Sequence, residues 1–232
     1  MTAIARARIL LLNPNRSTAC SAGIDAAIAG FRSPTGPTID VATVADGPPG
    51  IYSWQDWHAA VPPLCRTVAA ERADTYLIAC ASDPGIEAVR EVTSRPVLGV
   101  FRCAVAAALL RAERFGVIAL VDASIARHAL ALRAIGAEPR LAAEIAMNTS
   151  IEALLDPHAT RAALVATGQR LVERGAGVVI LGCTGMAGHR TALEEALGVP
   201  VIEPCQAAVA MALGIVVPAT QQPGQQNASR AA

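Results

Sequence analysis

Short apolar runs alternate along the chain with longer segments of helical character. Seven runs of four to seven residues lack regular polar alternation, at residues 7–12, 38–44, 75–79, 97–100, 116–121, 177–181 and 199–202. Such runs are typical of strands that helices cover on both faces. Helices are predicted between and after them, at about residues 17–29, 59–73, 84–92, 104–114, 124–135, 158–174, 187–197 and 205–213. This alternation predicts an α/β protein with mostly parallel sheets.

The second half of the chain repeats the order of motifs in the first half. Residues 74–80 (DTYLIAC) and residues 177–183 (GVVILGC) are both apolar runs that end in a cysteine, Cys80 or Cys183. Each is followed by a helical segment, a Pro-Val pair and an alanine-rich helix. We interpret this order as an internal duplication. It predicts two pseudo-symmetric three-layer α/β/α domains that face each other across a cleft, which is the expected active site.

The two predicted domains have approximate boundaries. The first consists of residues 1–100 together with residues 205–220, and the second consists of residues 101–204. Residues 221–232 are polar and contain Pro, Gly and Gln, so we expect a disordered tail there.

Composition and charge exclude several classes of protein. The chain carries 19 basic and 19 acidic side chains, and all the basic ones are arginines. Without lysine, it cannot hold pyridoxal phosphate as a Schiff base or bind a nucleotide through a Gly-Lys phosphate loop. A net charge of zero, with no basic tract, argues against nucleic acid as a partner.

No predicted segment suits a membrane. The longest uncharged apolar run near the C-terminus, residues 207–217, has eleven residues, whereas a spanning helix needs about twenty. The first apolar run is short, and no small-residue cleavage site of a secretion signal follows it. We therefore expect a cytoplasmic protein whose six cysteines are unpaired. The cysteines and histidines have no zinc-type spacing, so we expect no metal.

Cys80 and Cys183 each end an apolar run and precede residues that can cap a helix. In an open α/β sheet, ligands bind just beyond the carboxyl ends of the strands. A thiol at a helix N-terminus has a pKa below its usual value of about 8.5, so we expect reactive thiols. Two such thiols suit an inversion of configuration without a cofactor, in which one removes a proton beside a carbonyl and the other protonates the opposite face. The alternative is that both are merely small buried residues.

Three motifs resemble those of the aspartate/glutamate racemase superfamily and, within it, the hydantoin and allantoin racemase branch. They are residues 13–17 (NPNRS), 79–85 (ACASDPG) and 181–186 (LGCTGM), and the similarity extends from about residue 7 to residue 214. The resemblance implies a cofactor-independent racemase or epimerase of a 5-substituted hydantoin-type or allantoin-type substrate, with Cys80 and Cys183 as acid and base. It leaves open an Asp- or Glu-type amino-acid racemase, a cofactor-free decarboxylase or isomerase, and a catalytically silent protein that binds a small molecule.

The resemblance also implies which residues contact the small-molecule substrate. Asn15 binds it from the first loop, while Ser82 and Thr184 hold the carbonyl oxygen at which enolate charge develops. The predicted binding set adds three neighbours, Asn13, Asp83 and Gly185. For Asn13 the alternative is a tight turn, and for Asp83 it is a helix cap.

Several other residues are left with two interpretations or with a structural one. Tyr52 stands where the branch usually has a glutamate, and Ser124 is the hydroxyl that follows the fifth apolar run. Tyr52, Trp54 and Trp57 either line the pocket or pack at the domain edge. His128 lies in a partly charged helical segment, where we expect it to be solvated. The four other cysteines have no paired spacing and are expected to be structural: Cys20, Cys65, Cys103 and Cys205. The alanine-rich composition is compatible with a homo-oligomer.

Overall fold

The computed structural model describes residues 6–220 except residues 152 and 156. These residues form two four-stranded sheets in which every strand pairing is parallel. The strands of the first sheet are β1 (Arg8–Asn13), β2 (Thr38–Thr43), β3 (Thr75–Ile78) and β4 (Val97–Gly99). Those of the second sheet are β5 (Phe115–Ala119), β6 (Leu141–Ala146), β7 (Val178–Gly182) and β8 (Val201–Ile202). The α-helices are α1 (Thr18–Ile28), α2 (Trp54–Ala59), α3 (Val61–Ala70), α4 (Ile86–Glu91), α5 (Val100–Leu109), α6 (Asp122–Ala134), α7 (Pro157–Glu173), α8 (Arg190–Leu197) and α9 (Pro204–Thr220).

The two sheets have the same strand order. The first runs β2-β1-β3-β4 and the second runs β6-β5-β7-β8. β3 and β7 therefore occupy equivalent places, and Cys80 and Cys183 lie just beyond their carboxyl ends. The predicted fold class, two pseudo-symmetric α/β domains with parallel sheets, is confirmed.

β6 is a strand that the apolar pattern did not predict. It forms the outer edge of the second sheet beside β5. Of its six residues only Ile145 is buried, and the others are partly exposed. An edge strand of this kind has no continuous apolar run, so its sequence carries little signal.

α2 begins within the aromatic segment, five residues before the helix that the sequence predicted at residues 59–73. The Oγ of Ser53 accepts a hydrogen bond from the backbone N–H of Asp56 at 3.1 Å. In return, the carboxylate of Asp56 accepts one from the backbone N–H of Ser53 at 2.9 Å. This capping box satisfies two otherwise unpaired N–H groups and starts the helix at Trp54.

Carboxylates also fix the starts of α5 and α9. Asp83, in the loop after β3, accepts hydrogen bonds from the backbone N–H groups of Phe101 at 2.9 Å and Arg102 at 3.0 Å. Glu203 does the same for Cys205 at 3.1 Å and Gln206 at 2.7 Å. A negative charge is favourable at a helix N-terminus. α5 therefore begins four residues earlier than the predicted helix at 104–114.

α5 and α9 form a central pair of helices between the sheets. In α9, Val209 and Ala212 are buried with Ile9 of β1. In α5, Phe101 is buried with Phe115 of β5. α5 and α9 also contact each other, so the sheets are joined through this pair.

No helix in the described part of the chain combines the length and the apolar character that crossing a bilayer requires. The disordered tail predicted at residues 221–232 lies outside the described residues.

Candidate active site

The carboxyl ends of β3 and β7 open on one cavity between the two halves of the chain. Cys80 and Cys183 both line it, and their thiols are close enough to interact electrostatically. Four of the predicted binding residues also lie in its wall: Asn15, Ser82, Thr184 and Gly185. The cavity therefore brings together candidate proton-transfer groups and hydrogen-bond donors from both sheets.

Each thiol has a matching hydrogen-bond environment. The Sγ of Cys80 lies 3.4 Å from the Oγ of Ser82 and also faces the backbone N–H of Ser82. The Sγ of Cys183 faces the backbone N–H of Gly185, again two residues further along. The duplication of the chain thus extends to the immediate surroundings of the two sulfur atoms.

The expected lowering of the thiol pKa values is wrong for this structure. Burial raises the pKa of Cys80, although the hydroxyl and N–H of Ser82 act in the opposite direction. Burial also raises the pKa of Cys183, to about 12, against the N–H of Gly185. The loss of hydration therefore outweighs the local N–H groups. No long helix starts directly at either sulfur, because α4 begins at Ile86 and Cys183 precedes a 3-10 helix.

The first loop presents Asn15 to the cavity and keeps Asn13 behind it. The Nδ2 of Asn13 donates hydrogen bonds to the Oδ1 of Asn15 at 3.2 Å, the carbonyl of Ser17 at 3.0 Å and the Oγ of Ser21 at 3.1 Å. Asn13 is buried and does not line the cavity. This position favours a positioning role for Asn13, and its predicted contact with substrate stays a prediction. Through the Oδ1 contact, Asn13 sets the orientation of the Asn15 amide.

Asp83 is likewise placed away from the cavity wall. Its two carboxylate oxygens cap α5, and burial raises its pKa to about 6. These contacts favour the helix-cap alternative for Asp83, although the capped helix is α5 and not the next one in the chain. The binding role of Asp83 stays a prediction. Its backbone φ of 44° turns the loop after Cys80.

Gly185 leaves space beside the second sulfur. A Cβ atom at this position would lie 3.6 Å from the Sγ of Cys183 and 3.0 Å from the Cδ1 of Leu154. The second of these distances is shorter than an ordinary van der Waals contact. A side chain here would therefore crowd the cavity wall.

Arg127 and His128 line the cavity, and sequence analysis missed both. They lie in α6, a helix with only a weak apolar stripe, so its pattern does not show which face is buried. Cys20, expected to be structural, also lies in the cavity wall. So does Ser124, the hydroxyl that the sequence indicated near the strand end, which lies in the same helix as Arg127.

The expectation that His128 is solvated is wrong. Its side chain is 1% exposed, and its ring stacks on Phe101 with a centroid separation of 4.5 Å. The Nδ1 of His128 lies 2.5 Å from the Oε1 of Glu144, and the side chain of Glu144 is also buried. Glu144 belongs to β6, a strand that the apolar pattern did not predict, and so this partner of His128 was not predicted either.

The aromatic residues Tyr52, Trp54 and Trp57 pack at the edge of the cavity and do not line it. The Nε1 of Trp57 donates a hydrogen bond to the carbonyl oxygen of Ser82 at 3.1 Å. The hydroxyl of Tyr52 accepts one from the backbone N–H of Ile151 at 3.1 Å. These contacts hold the loop after Cys80 and join the two halves of the chain.

Among the described residues, no group of three or more His, Cys, Asp or Glu side chains is arranged to hold a metal ion. The cavity instead presents two thiols, several hydroxyl and amide groups and one guanidinium. This set can move protons and stabilise developing negative charge.

Comparison with known proteins covers nearly the whole described chain. The family model for Asp/Glu/Hydantoin racemase matches residues 9–212. A hydantoin racemase from Paenarthrobacter aurescens is 37% identical over 216 residues, which cover 90% of this chain and 91% of the relative. A hydantoin racemase from a Pseudomonas species is 34% identical and covers 90% of this chain and 86% of its own length.

A solved structure is also closely similar. The allantoin racemase from Klebsiella pneumoniae superposes with a TM-score of 0.85 at 30% identity, covering 92% of this chain and 89% of the other. The resemblance stated from the three motifs is confirmed. The chain belongs to the Asp/Glu/hydantoin racemase family and is an isomerase of the racemase type.

Proposed function

We propose that this racemase inverts the C5 stereocentre of a hydantoin-type or allantoin-type substrate by proton transfer between Cys80 and Cys183, without a cofactor. The observation that carries the proposal is the position of both thiols. They lie at equivalent strand ends of the two halves and line one cavity. The names of the relatives support the substrate class, since two are hydantoin racemases and one is an allantoin racemase.

A hydantoin suits this pair of thiols better than a free amino acid does. The C5 proton of a hydantoin lies beside a carbonyl of a ring imide, which stabilises the carbanion. The carboxylate of a free amino acid carries negative charge and makes the same proton less acidic. The raised pKa values make each thiolate a stronger base but a less populated one. A more acidic substrate is therefore the better match.

The two thiols differ in their charged surroundings. The positive charge of Arg127 lowers the pKa of Cys80, although burial remains the larger influence. No such cation acts on Cys183, whose electrostatic neighbours Cys80, Cys20 and Glu203 all raise its pKa. We therefore propose that Cys80 loses its proton more readily than Cys183, so that Cys80 supplies the base and Cys183 the acid in the active fraction of the enzyme. After each turnover the roles are exchanged.

Donors around the cavity would hold the enolate oxygen that forms when the proton leaves. The hydroxyls of Ser82 and Thr184 lie in the wall beside the two sulfurs. The Oδ1 of Asn15 is occupied by the loop, which orients its amide nitrogen for a substrate oxygen. A preorganised donor at a developing oxyanion contributes about 3 to 4 kcal/mol.

The test follows loss of the C5 proton by NMR in D₂O, with single enantiomers of 5-substituted hydantoins, allantoin, aspartate and glutamate, followed by chiral analysis of the same tube. We expect exchange with inversion on a hydantoin or on allantoin. Cys80→Ser and Cys183→Ser should each lose racemisation by about 10³-fold or more, as for removal of an essential acid or base. Cys65→Ser is the matched control, because Cys65 is partly buried but outside the cavity.

Undiminished turnover by Cys80→Ser or by Cys183→Ser would overturn the two-thiol assignment. Exchange on aspartate or glutamate alone would replace the hydantoin class with the amino-acid class. Release of carbon dioxide from a malonate-type acid, without exchange, would favour a decarboxylase.

We further propose that the enzyme is a cytoplasmic homo-oligomer that acts on a small molecule. All six cysteines are free, as suits a reducing compartment. Light scattering on the purified chain tests the oligomer, and a monomer at micromolar concentration would contradict it.

A further inference from the structure

Arg127 projects from α6 into the wall of the cavity. Its residue surface is 2% exposed. Its Nη2 donates a hydrogen bond to the Oγ of Ser124 at 3.2 Å, and its Nη1 approaches the carbonyl oxygen of Tyr52 at 3.5 Å. The guanidinium carbon lies 5.9 Å from the ring centroid of Trp54. Both halves of the chain thus hold this side chain in place.

One further donor of Arg127, the N–H on its Nε, is unused. Its Nε is buried and has no hydrogen-bond partner in the described part of the chain. A buried donor without a partner is unfavourable, and for a charged group the cost is higher. A guanidinium keeps its proton in a protein, so it cannot escape this cost by becoming neutral.

No carboxylate of the described residues forms an ion pair with Arg127. The groups that act electrostatically on Arg127 are the thiol of Cys80 and the carboxylate of Asp56, and the backbone N–H groups of Tyr52 and Ser53 already engage that carboxylate. The described wall of the cavity contains no aspartate or glutamate. Among the described residues, therefore, no carboxylate in the cavity wall pairs directly with this positive charge.

We infer that Arg127 is a specificity-determining residue that binds a carboxylate on the C5 substituent of the substrate. The inference rests on the proposed function and narrows its substrate class to hydantoins with an acidic side group. A carboxylate offers two oxygens in a plane, which match the planar donors of a guanidinium. An apolar substituent would leave the Nε of Arg127 buried without a partner, and a neutral polar one could accept its hydrogen bond but not balance its charge.

Two ligands of nearly equal shape test this inference. 5-Carboxymethylhydantoin carries the charge, and 5-carbamoylmethylhydantoin replaces the carboxylate with a neutral amide. For the wild-type enzyme we expect kcat/KM to be about 10- to 100-fold higher for the acid, the range that a charged hydrogen bond supplies. Arg127→Met should lose that preference mainly through a higher KM for the acid, in addition to any loss of rate that both substrates share through the pKa of Cys80. Arg66→Met is the matched control, because Arg66 is exposed and remote from the cavity.

The alternative is that Arg127 serves only to stabilise the thiolate of Cys80. In that case Arg127→Met would slow both substrates equally and leave the ratio of kcat/KM for acid and amide unchanged, which would overturn the inference. A wild-type preference for the amide would also overturn it. Should Arg127→Met fail to fold, Arg127→Lys keeps the charge but lacks the Nε donor and the planar fork. It should then bind the acid at least about fivefold more weakly than the wild type, since Lys replaces a bidentate partner poorly.

A binding measurement separates this inference from the proposed function. Isothermal titration of Cys183→Ser with both ligands does not depend on turnover. Tighter binding of the acid, lost when Arg127→Met is added, supports the inference even if neither ligand is racemised. Equal binding of acid and amide to Cys183→Ser would overturn it even if both are racemised by the wild type.

Discussion

The hydroxyl of Ser82 lies 3.4 Å from the sulfur of Cys80, and the same residue turns its backbone N–H toward that sulfur. Its carbonyl oxygen is held by the indole of Trp57. Ser82 is therefore fixed at its carbonyl side by the aromatic segment while its two donors face the cavity. This arrangement leaves little freedom in the position of the first thiol.

Replacing Ser82 with alanine should lower kcat by about 10²-fold, because a preorganised donor near the reacting carbon is lost. The hydroxyl also lowers the pKa of Cys80, so its removal should raise that pKa and shift the rise of the pH–rate profile to higher pH. The measurement is kcat/KM for racemisation from pH 6 to pH 10. Ser94→Ala, at an exposed position outside the cavity, is the control. An unchanged rate in the Ser82 variant would show that its hydroxyl has no catalytic part.

The pH dependence of the wild-type enzyme follows from the two thiols. The pKa of Cys80 is raised above its usual value, so at neutral pH only a small fraction is thiolate. The rate should therefore increase with pH, by up to about tenfold per unit, through the neutral range. The rate should fall again only when Cys183 loses its proton, and burial raises the pKa of Cys183 to about 12. A bell-shaped profile with its maximum near neutral pH would contradict these raised values.

The buried pair of His128 and Glu144 should matter for stability. Replacing His128 with phenylalanine keeps the stacking on Phe101 but leaves the carboxyl of Glu144 without its partner. We expect the free energy of unfolding to fall by about 3 kcal/mol, as when one member of a buried pair is removed. The double variant with Glu144→Leu should recover part of this loss. Urea unfolding of the single and double variants measures both, and a single variant as stable as wild type would contradict the prediction.

Gly99 lies directly against the carboxyl group of Asp83, which caps α5. A Cβ atom there would lie 2.2 Å from the carboxyl carbon of Asp83. Gly99→Ala should therefore displace the cap and lower the free energy of unfolding by about 2 kcal/mol. Gly23→Ala, in the middle of α1 with no atom near its Cβ position, should instead raise it by about 0.5 to 1 kcal/mol. Thermal unfolding of the two variants should thus show shifts of opposite sign.

Much of the fold was predictable, because the buried parallel strands have apolar runs and the two halves share an order of motifs. The positions of Cys80 and Cys183 followed from the ends of those runs. Three features could not be predicted from the sequence. The edge strand β6 has mostly part-exposed residues and so no apolar run, and Asp83 caps a helix that lies sixteen or more residues away in the chain. Arg127 reaches the cavity from a helix whose pattern is nearly featureless.

The thiol pKa values show a different limit. A helix N-terminus can be recognised in a sequence, but the hydration of a sulfur depends on what the other half of the chain places over it. Cys183 is surrounded through tertiary contacts, among them the packing of α1 against the 3-10 helix at Thr184–His189. Such contacts cannot be deduced from residues near the cysteine alone.

The place of α9 has a consequence for how the chain is made. Val209 and Ala212 cover Ile9 of β1, so this early strand is covered by residues that the ribosome adds much later. During synthesis, the second sheet can pack against its own helices soon after β8 emerges. The first sheet remains accessible to chaperones and proteases until α9 has been synthesised. A chain terminated before α9 would therefore have an incomplete core around the first sheet.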